Sequence, residues 1–333
     1  MYTRYYGLAQ KPFELFPDPE MVFMSEGHKE ALAILTYGVQ EGKGFILLTG
    51  AAGTGKTTML EALLKSVHEQ VLVCVIANPI LTLHEFYCYL AHGFGLPEFS
   101  GNKSHFLFAL TELLQRSKEE KKKVLLIIDE AHALPPALFD EVRLLSNQGA
   151  GNYGMLSIFL VGQPELNKIL SQDALLPLRQ RISIRFHLKR FSPDETDEYI
   201  KFRLLKAGSG RLDLFSDAAV KLIYKASNGL PRLINSLCDQ ALISGFVAEK
   251  RRIEPEIIKE CIRELQLPGS DEEDVDREPG LLLWLFQSLS RKMMIRLFLL
   301  GIISVSAWLI IQRPSWAAIT LERITHSIKA LWP

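Results

Sequence analysis

The chain has 333 residues, 48% of them apolar, and its 38 basic and 38 acidic side chains give a formal net charge of zero. That length and apolar content exclude a disordered or fibrous chain and suggest about two folded units, at roughly 100 to 200 residues per domain. The balanced charge leaves no global basic field to steer the chain to nucleic acid or to an anionic membrane. Cys74, Cys88, Cys238 and Cys261 lie in apolar segments with no C-x-x-C pair, so they read as reduced thiols of a cytosolic compartment, with neither a zinc site nor a disulfide framework.

In chain order, residues 1–10 lack a basic stretch followed by an apolar run, so nothing there directs this end across a membrane. Pro12, Pro17 and Pro19 stand among Phe13, Phe16 and Phe23, the pattern of an ordered arm anchored by aromatic rings, and a first helix completes the segment 1–43. From residue 44 onward, short β-branched or Leu-rich runs alternate with helical periodicity. The runs at 45–50, 71–76, 124–129, 155–162 and 182–188 predict five strands. Most lack polar alternation, which implies a parallel sheet covered on both faces and hence an α/β core over 44–190.

The first of these strands runs straight into Gly50, Ala51, Ala52, Gly53, Thr54, Gly55, Lys56 and Thr57, a complete G-x-x-x-x-G-K-T at the opening of a predicted helix that continues with Thr58. Glycines here let backbone N–H groups curl around phosphate oxygens, and the helix adds its positive dipole end. Lys56 reaches the β- and γ-phosphates and the Thr57 hydroxyl ligates Mg²⁺. The third strand ends in Asp129 and Glu130. Asp129 at the carboxyl end of a buried strand suits the Mg²⁺ water shell beside Thr57, and Glu130 suits the polarising of an attacking water. The alternative is a pair of acids capping the next helix.

Asp129, Glu130, Ala131 and His132 also spell a DEAH helicase box, but such helicases resemble two tandem sheet domains and only one is present, so His132 is expected to be incidental. Asn167-Lys168-Ile169-Leu170 lacks the Asp that would pair with a guanine edge, which favours ATP. Gln163, just after the fourth strand, can bridge the water and the γ-phosphate; its alternative is an ordinary strand-to-helix turn. Arg179 and Arg181 precede the fifth strand, and either can reach a neighbouring subunit's ATP or simply form surface salt bridges.

After Phe191 the strands stop and helices are predicted at 193–206, 216–226, 230–248 and 255–265. Ser192 with Glu195 forms a capping box, and Ser216 starts the second helix. Arg232 follows Pro231 on the first turn of the third, the end at which a cation gains little from the helix dipole, so a phosphate partner accounts for it. An acidic stretch, 271–278, holds six carboxylates in eight residues inside a solvated linker at 268–280. Fifteen uncharged residues follow at 297–311, and counting back to Met293 gives a twenty-residue span over 293–312 if Arg296 snorkels. A buried or interfacial helix is the alternative. Arg291, Lys292 and Arg296 favour a cytoplasmic side before the span, with Trp308 and Trp316 near the far interface and a short periplasmic tail at 313–333.

The phosphate loop, the strand-terminal Asp-Glu pair, Gln163, the arginines before the fifth strand and the Gly229-Leu230-Pro231-Arg232 helix start together resemble the plan of AAA+ ATPases. Tyr6-Gly7-Leu8, Pro12-Phe13, Pro17-Asp18-Pro19, Ser25, His28 with Glu30-Ala31-Leu32, Gly44-Phe45 and Gly162-Gln163-Pro164-Glu165-Leu166 are similar, more specifically, to the ExeA/GspA family, over about residues 1–265. The AAA+ resemblance implies a sheet in the order 5-1-4-3-2, a helical lid over 191–267 and ATP sites shared between subunits of a homo-oligomer. Members of the ExeA/GspA family act at the bacterial inner membrane in type II secretion, where they help a membrane partner place the outer-membrane secretin through the peptidoglycan; relatives serve pilus or exopolysaccharide export. Longer members add a periplasmic peptidoglycan-binding domain, which this sequence does not match, so direct peptidoglycan binding is not carried over.

The expectation is therefore a membrane-anchored ATPase at the inner membrane with its first 267 residues cytoplasmic. Lys56, Thr57 and Asp129 would handle phosphate and Mg²⁺, Glu130 the water, Arg181 the neighbour's site and Arg232 the lid. The rivals are a DNA-binding ATPase of the transposition or initiator type, resting on Lys250-Arg251-Arg252 and the 121–123 lysine run, and a scaffold that binds ATP to assemble.

Overall fold

The chain opens with a short helix, α1 (Tyr2–Tyr6), which Gly7 ends in the left-handed conformation at φ 70°. Ser25 then caps α2 (Glu26–Gln40) by accepting from the His28 amide. The strands follow as β1 (Phe45–Gly50), β2 (Val71–Ile76), β3 (Lys123–Ile128), β4 (Leu156–Gly162) and β5 (Ile182–Leu188). Between them come α3 (Lys56–Val67), α4 (Leu83–Gly93), α5 (Lys103–Glu119), α6 (Pro136–Leu145), α7 (Glu165–Leu170) and α8 (Leu176–Arg179). Four more helices close the order: α9 (Pro193–Lys206), α10 (Asp217–Ser227), α11 (Pro231–Val247) and α12 (Pro255–Glu264). This computed structural model describes residues 1–15, 21–67, 70–147 and 156–265, all inside one unit that runs from Met1 to Ser270.

All strand pairs are parallel and the order is β2-β3-β4-β1-β5, which is 5-1-4-3-2 read from the opposite edge. β1, β3 and β4 are buried almost throughout, so their continuous apolar runs fill both faces of the sheet. One face packs Phe45, Leu47, Leu126 and Ile128 against α4, α5 and α6; the other packs Ile46, Leu48, Leu125 and Ile127 against α2 and α3. The chain leaves β1, passes over β4 and β3 to build β2, and so opens a crevice at the carboxyl ends of β1, β4 and β3.

A third apolar cluster joins α9, α10, α11 and α12 to Tyr2, Leu8, Phe13 and Met21 of the opening arm. Arg203 of α9 is buried and gives its guanidinium to the carbonyls of Pro12, Glu14 and Met21, so that one side chain fastens the arm along the helical region. Ser192 and Glu195 close the expected capping box on α9, with Pro193 in its first turn.

Boundaries differ from expectation in small ways that have a cause. β3 runs from Lys123 to Ile128, and Asp129 follows it with its amide still donating to the Ile76 carbonyl. Ser216 stands outside α10 as its cap, and Asn228 ends that helix in the left-handed conformation at φ 49°. Among the described residues no helix is long and apolar enough to cross a membrane. The expected linker at 268–280, span at 293–312 and tail at 313–333 lie outside the described residues.

Candidate nucleotide site

The loop between β1 and α3 folds where the spacing places it. Gly53 and Gly55 take φ of 80° and 96°, values that L side chains avoid. A Cβ on Gly50 would lie 2.9 Å from the Leu188 carbonyl oxygen and 2.9 Å from Thr54 Oγ1, so the backbone has the close approach a phosphate cradle needs. Lys56 is buried and donates from Nζ to the carbonyls of Gly50 at 3.0 Å and Ala51 at 3.2 Å. Burial pushes its pKa down, against the pull of Glu130, Asp129 and Glu165. Thr58 completes the first turn of α3, and Ala52 lies exposed at the loop tip.

Thr57 and Asp129 are 72 residues apart, yet Thr57 Oγ1 donates to Asp129 Oδ2 at 3.0 Å. The other carboxylate oxygen of Asp129 accepts from the Glu130 amide at 2.8 Å. A hydroxyl and a carboxylate side by side are the oxygen donors a hard, octahedral cation takes, so the pair fits Mg²⁺. Glu130 itself sits at φ 49°, one of four described non-glycine residues with positive φ. Such a backbone is held only where its surroundings impose it, and it aims the side chain away from the strand direction.

Gln163 follows β4, and its Nε2 lies 3.4 Å from Glu130 Oε2 and 3.3 Å from His132 Nε2. His132 Nδ1 stands 3.4 Å from Glu130 Oε2. His132, expected to be incidental, stands within reach of both side chains. A single 3₁₀ turn, Ala131–Ala133, returns its ring to the carboxylate and the amide. The letters of the motif contain the residue, but a side chain four positions past a strand shows its direction only once that turn is known.

Arg232 approaches from α11, and a Cβ on Gly53 would meet Arg232 Cβ at 2.9 Å. No described residue forms a hydrogen bond or ion pair with its guanidinium. Arg181 donates to the Arg143 carbonyl at 3.2 Å, to Ser146 Oγ at 2.7 Å and to Asn147, at the end of α6, and so lies away from this chain's own loop. Arg179 donates to the Ser171 carbonyl at 3.2 Å. Both guanidiniums rest on uncharged acceptors. In the basic run at 250–252, Arg251 covers the Tyr5 ring at 3.9 Å and Arg252 pairs with Glu254 at 3.7 Å.

Sequence reasoning uses His28 only as part of a family pattern. In the structure this buried ring lies directly behind the loop, with Nε2 3.0 Å from the Thr54 carbonyl oxygen and Nδ1 2.8 Å from Ser25 Oγ.

A family model described as an AAA domain matches residues 39–170. Over 255 residues the chain is 40% identical to General secretion pathway protein A of Aeromonas hydrophila. The chain carries an AAA+ domain of the general secretion pathway protein A type. The match takes in 76% of this chain and 46% of that relative, so the chain spans about half the relative's length. The AAA+ fold is shared with more distant solved structures. The Aeropyrum pernix ORC2 protein, solved as ADPNP-ADP complexes, superimposes with a TM-score of 0.55 at 16% identity, over 77% of this chain and 71% of that one. Cdc6p of Pyrobaculum aerophilum gives 0.56 at 15% identity, over 75% and 71%.

Proposed function

We propose that this chain is a membrane-anchored ATPase that hydrolyses ATP with Mg²⁺ to drive assembly or operation of a bacterial envelope export system, of the type II secretion, pilus or exopolysaccharide kind. The observation that carries the hydrolytic half is the Thr57–Asp129 hydrogen bond at 3.0 Å, with Glu130 beside it on a left-handed backbone. The 40% identity to General secretion pathway protein A carries the export half.

In this reading Lys56 holds the β- and γ-phosphate oxygens, and the loop amides at 50–57 complete the cradle. Thr57 and Asp129 would hold Mg²⁺, which would supply neutralising charge for the phosphates. Glu130 accepts a proton from the attacking water, and Gln163 shares that carboxylate through its amide. Arg232 answers phosphate from the α11 side, which couples the nucleotide to the helical region. Arg181 of one subunit serves the site of the next, so the working form is a homo-oligomer, and the span at 293–312 ties it to the inner membrane with the ATPase domain cytoplasmic and an export-apparatus partner in the membrane.

The test is carbonate extraction of membranes holding either the full chain or a chain ended at Pro279, together with ATP turnover of each. Retention of the full chain and release of the shorter one, both consuming ATP, is the expected result. Two soluble proteins would remove the anchor, and a full chain without turnover would remove the hydrolytic role.

A further inference from the structure

The first turn of α2 reaches the back of the phosphate loop. Ser25 Oγ accepts from the His28 amide at 3.4 Å and stands 2.8 Å from His28 Nδ1, while His28 Nε2 stands 3.0 Å from the Thr54 carbonyl oxygen. A carbonyl offers only lone pairs, so Nε2 carries the proton, and in a neutral ring the bare Nδ1 accepts the Ser25 hydroxyl proton. The ring is 4% exposed, and burial lowers its pKa, which keeps it in that neutral form.

The bond has a consequence for the loop's donors. No cis peptide bond is present among the described residues, and in a trans peptide the C=O and the next N–H point to opposite sides. Turning the Thr54 carbonyl toward His28 therefore turns the Gly55 N–H away from α2. Gly55, at φ 96°, is free to rotate without this restraint, and a Cβ there would fall 2.9 Å from His28 Nε2. His28 also stacks edge-on against Phe191 at 5.5 Å, and the Phe191 amide donates to the Gly229 carbonyl just before the helix that bears Arg232. Gly53 meets Arg232 and Gly55 meets His28, so the loop is gripped from two elements at once.

We propose that Ser25 and His28 form a positioning pair for phosphate binding, which fixes the 54–55 peptide of the loop from behind and links its orientation to the helical region through Phe191. The proposal rests on the reading of this loop as a nucleotide site. Neither residue touches the nucleotide; both act through the Thr54 carbonyl.

The experiment uses the full chain and the variants His28→Gln, His28→Asn and Ser25→Ala. It reads ATP affinity with a fluorescent ATP analogue, amide hydrogen exchange over 50–57 without nucleotide, and thermal stability. A Gln amide nitrogen reaches the place of Nε2, whereas an Asn amide reaches only that of Nδ1. His28→Gln is expected to stay within about threefold of native affinity, and His28→Asn to bind about tenfold more weakly with faster exchange at Gly55, on the order of one net hydrogen bond. Ser25→Ala, the mildest change, is expected to loosen the same amide by a smaller factor. Native affinity and native exchange in His28→Asn would overturn the proposal, as would Ser25→Ala exchange equal to native if His28→Asn does not fold. Equal losses in His28→Gln and His28→Asn that follow thermal stability would also overturn it, since they mark simple packing. Lys56→Ala separates the two levels: native binding no better than this control defeats the nucleotide reading and the proposal with it, whereas native binding untouched by His28→Asn defeats the proposal alone.

Discussion

Glu130 combines two features at one residue, a carboxylate next to the Thr57–Asp129 pair and a backbone at φ 49°. Removing its charge while keeping its shape isolates the chemistry: Glu130→Gln should lower ATP turnover by about 10² to 10⁴-fold, the usual weight of a general base, while ATP affinity stays near native. Normal turnover in that variant, measured by phosphate release, would remove Glu130 from the water-activating role. His28 yields a prediction on stability. Its folded pKa lies below the ordinary value of 6.5, so below that pH the unfolded chain binds a proton that the folded chain resists. Stability from this group is thus complete above pH 6.5 and falls as pH drops from there toward the folded pKa. Urea midpoints of the native chain relative to His28→Gln should fall steadily between about pH 7 and pH 5, and a constant difference would show that the histidine titrates alike in both states.

At the scale of elements, the arm is held to α9 by Arg203, whose three donors satisfy the carbonyls of Pro12, Glu14 and Met21. Arg203→Met keeps much of the volume but strands the Pro12 and Met21 carbonyls, since Asn235 also donates to that of Glu14, and an unsatisfied buried carbonyl costs about 1 to 3 kcal/mol. Chemical denaturation should show a loss of about 2 to 4 kcal/mol for the variant, and a loss below about 0.5 kcal/mol would mean that water replaces the guanidinium freely. Gly229, at φ 69°, ends the turn between α10 and α11 with the place of a Cβ only 2.1 Å from the Phe191 carbonyl oxygen. Gly229→Ala must therefore displace the very segment that sets the position of Arg232. Lower thermal stability together with weaker ATP binding is expected, and native values for both would show that the segment yields without cost.

The same elements differ in how far they are legible in the sequence. The five strands and α9 are predicted to within a residue because their cues are local: a continuous apolar run, a Ser-Pro-x-Glu cap, a Gly-rich turn. The one-residue shift of β3 is set by its pairing with β2, from Val71 with Lys123 to Ile76 with Ile128, which leaves no mark in the run itself. The direction of the His132 side chain is not legible in the sequence, because the apolar pattern ends before it and its place depends on a 3₁₀ turn.

For the whole molecule, the predicted sharing of Arg181 between subunits makes activity a property of the assembly. Arg181 is exposed and bonded to uncharged groups, so Arg181→Ala should fold normally. It should hydrolyse little ATP by itself, and so should Glu130→Gln, but a mixture of the two should recover turnover, because each supplies what the other lacks. A mixture no more active than the sum of its parts, at a protein concentration where size measurements show oligomers, would remove Arg181 from the neighbour's site.

The sequence by itself determined the phosphate loop, the Asp129–Glu130 pair, the alternation of strands and helices and the helical region after Phe191, because spacing and periodicity act over a few neighbouring residues. Only the tertiary structure decided what those pieces meet. Placing β4 between β1 and β3 carries Thr57 to Asp129, and Gln163 to Glu130, across 72 and 33 residues of chain. It likewise sets His28 behind Thr54 and the arm against Arg203, 26 and about 190 positions apart. Such contacts are fixed by the joint burial of distant apolar faces and by the need to satisfy every buried polar group, conditions that no local window of sequence contains.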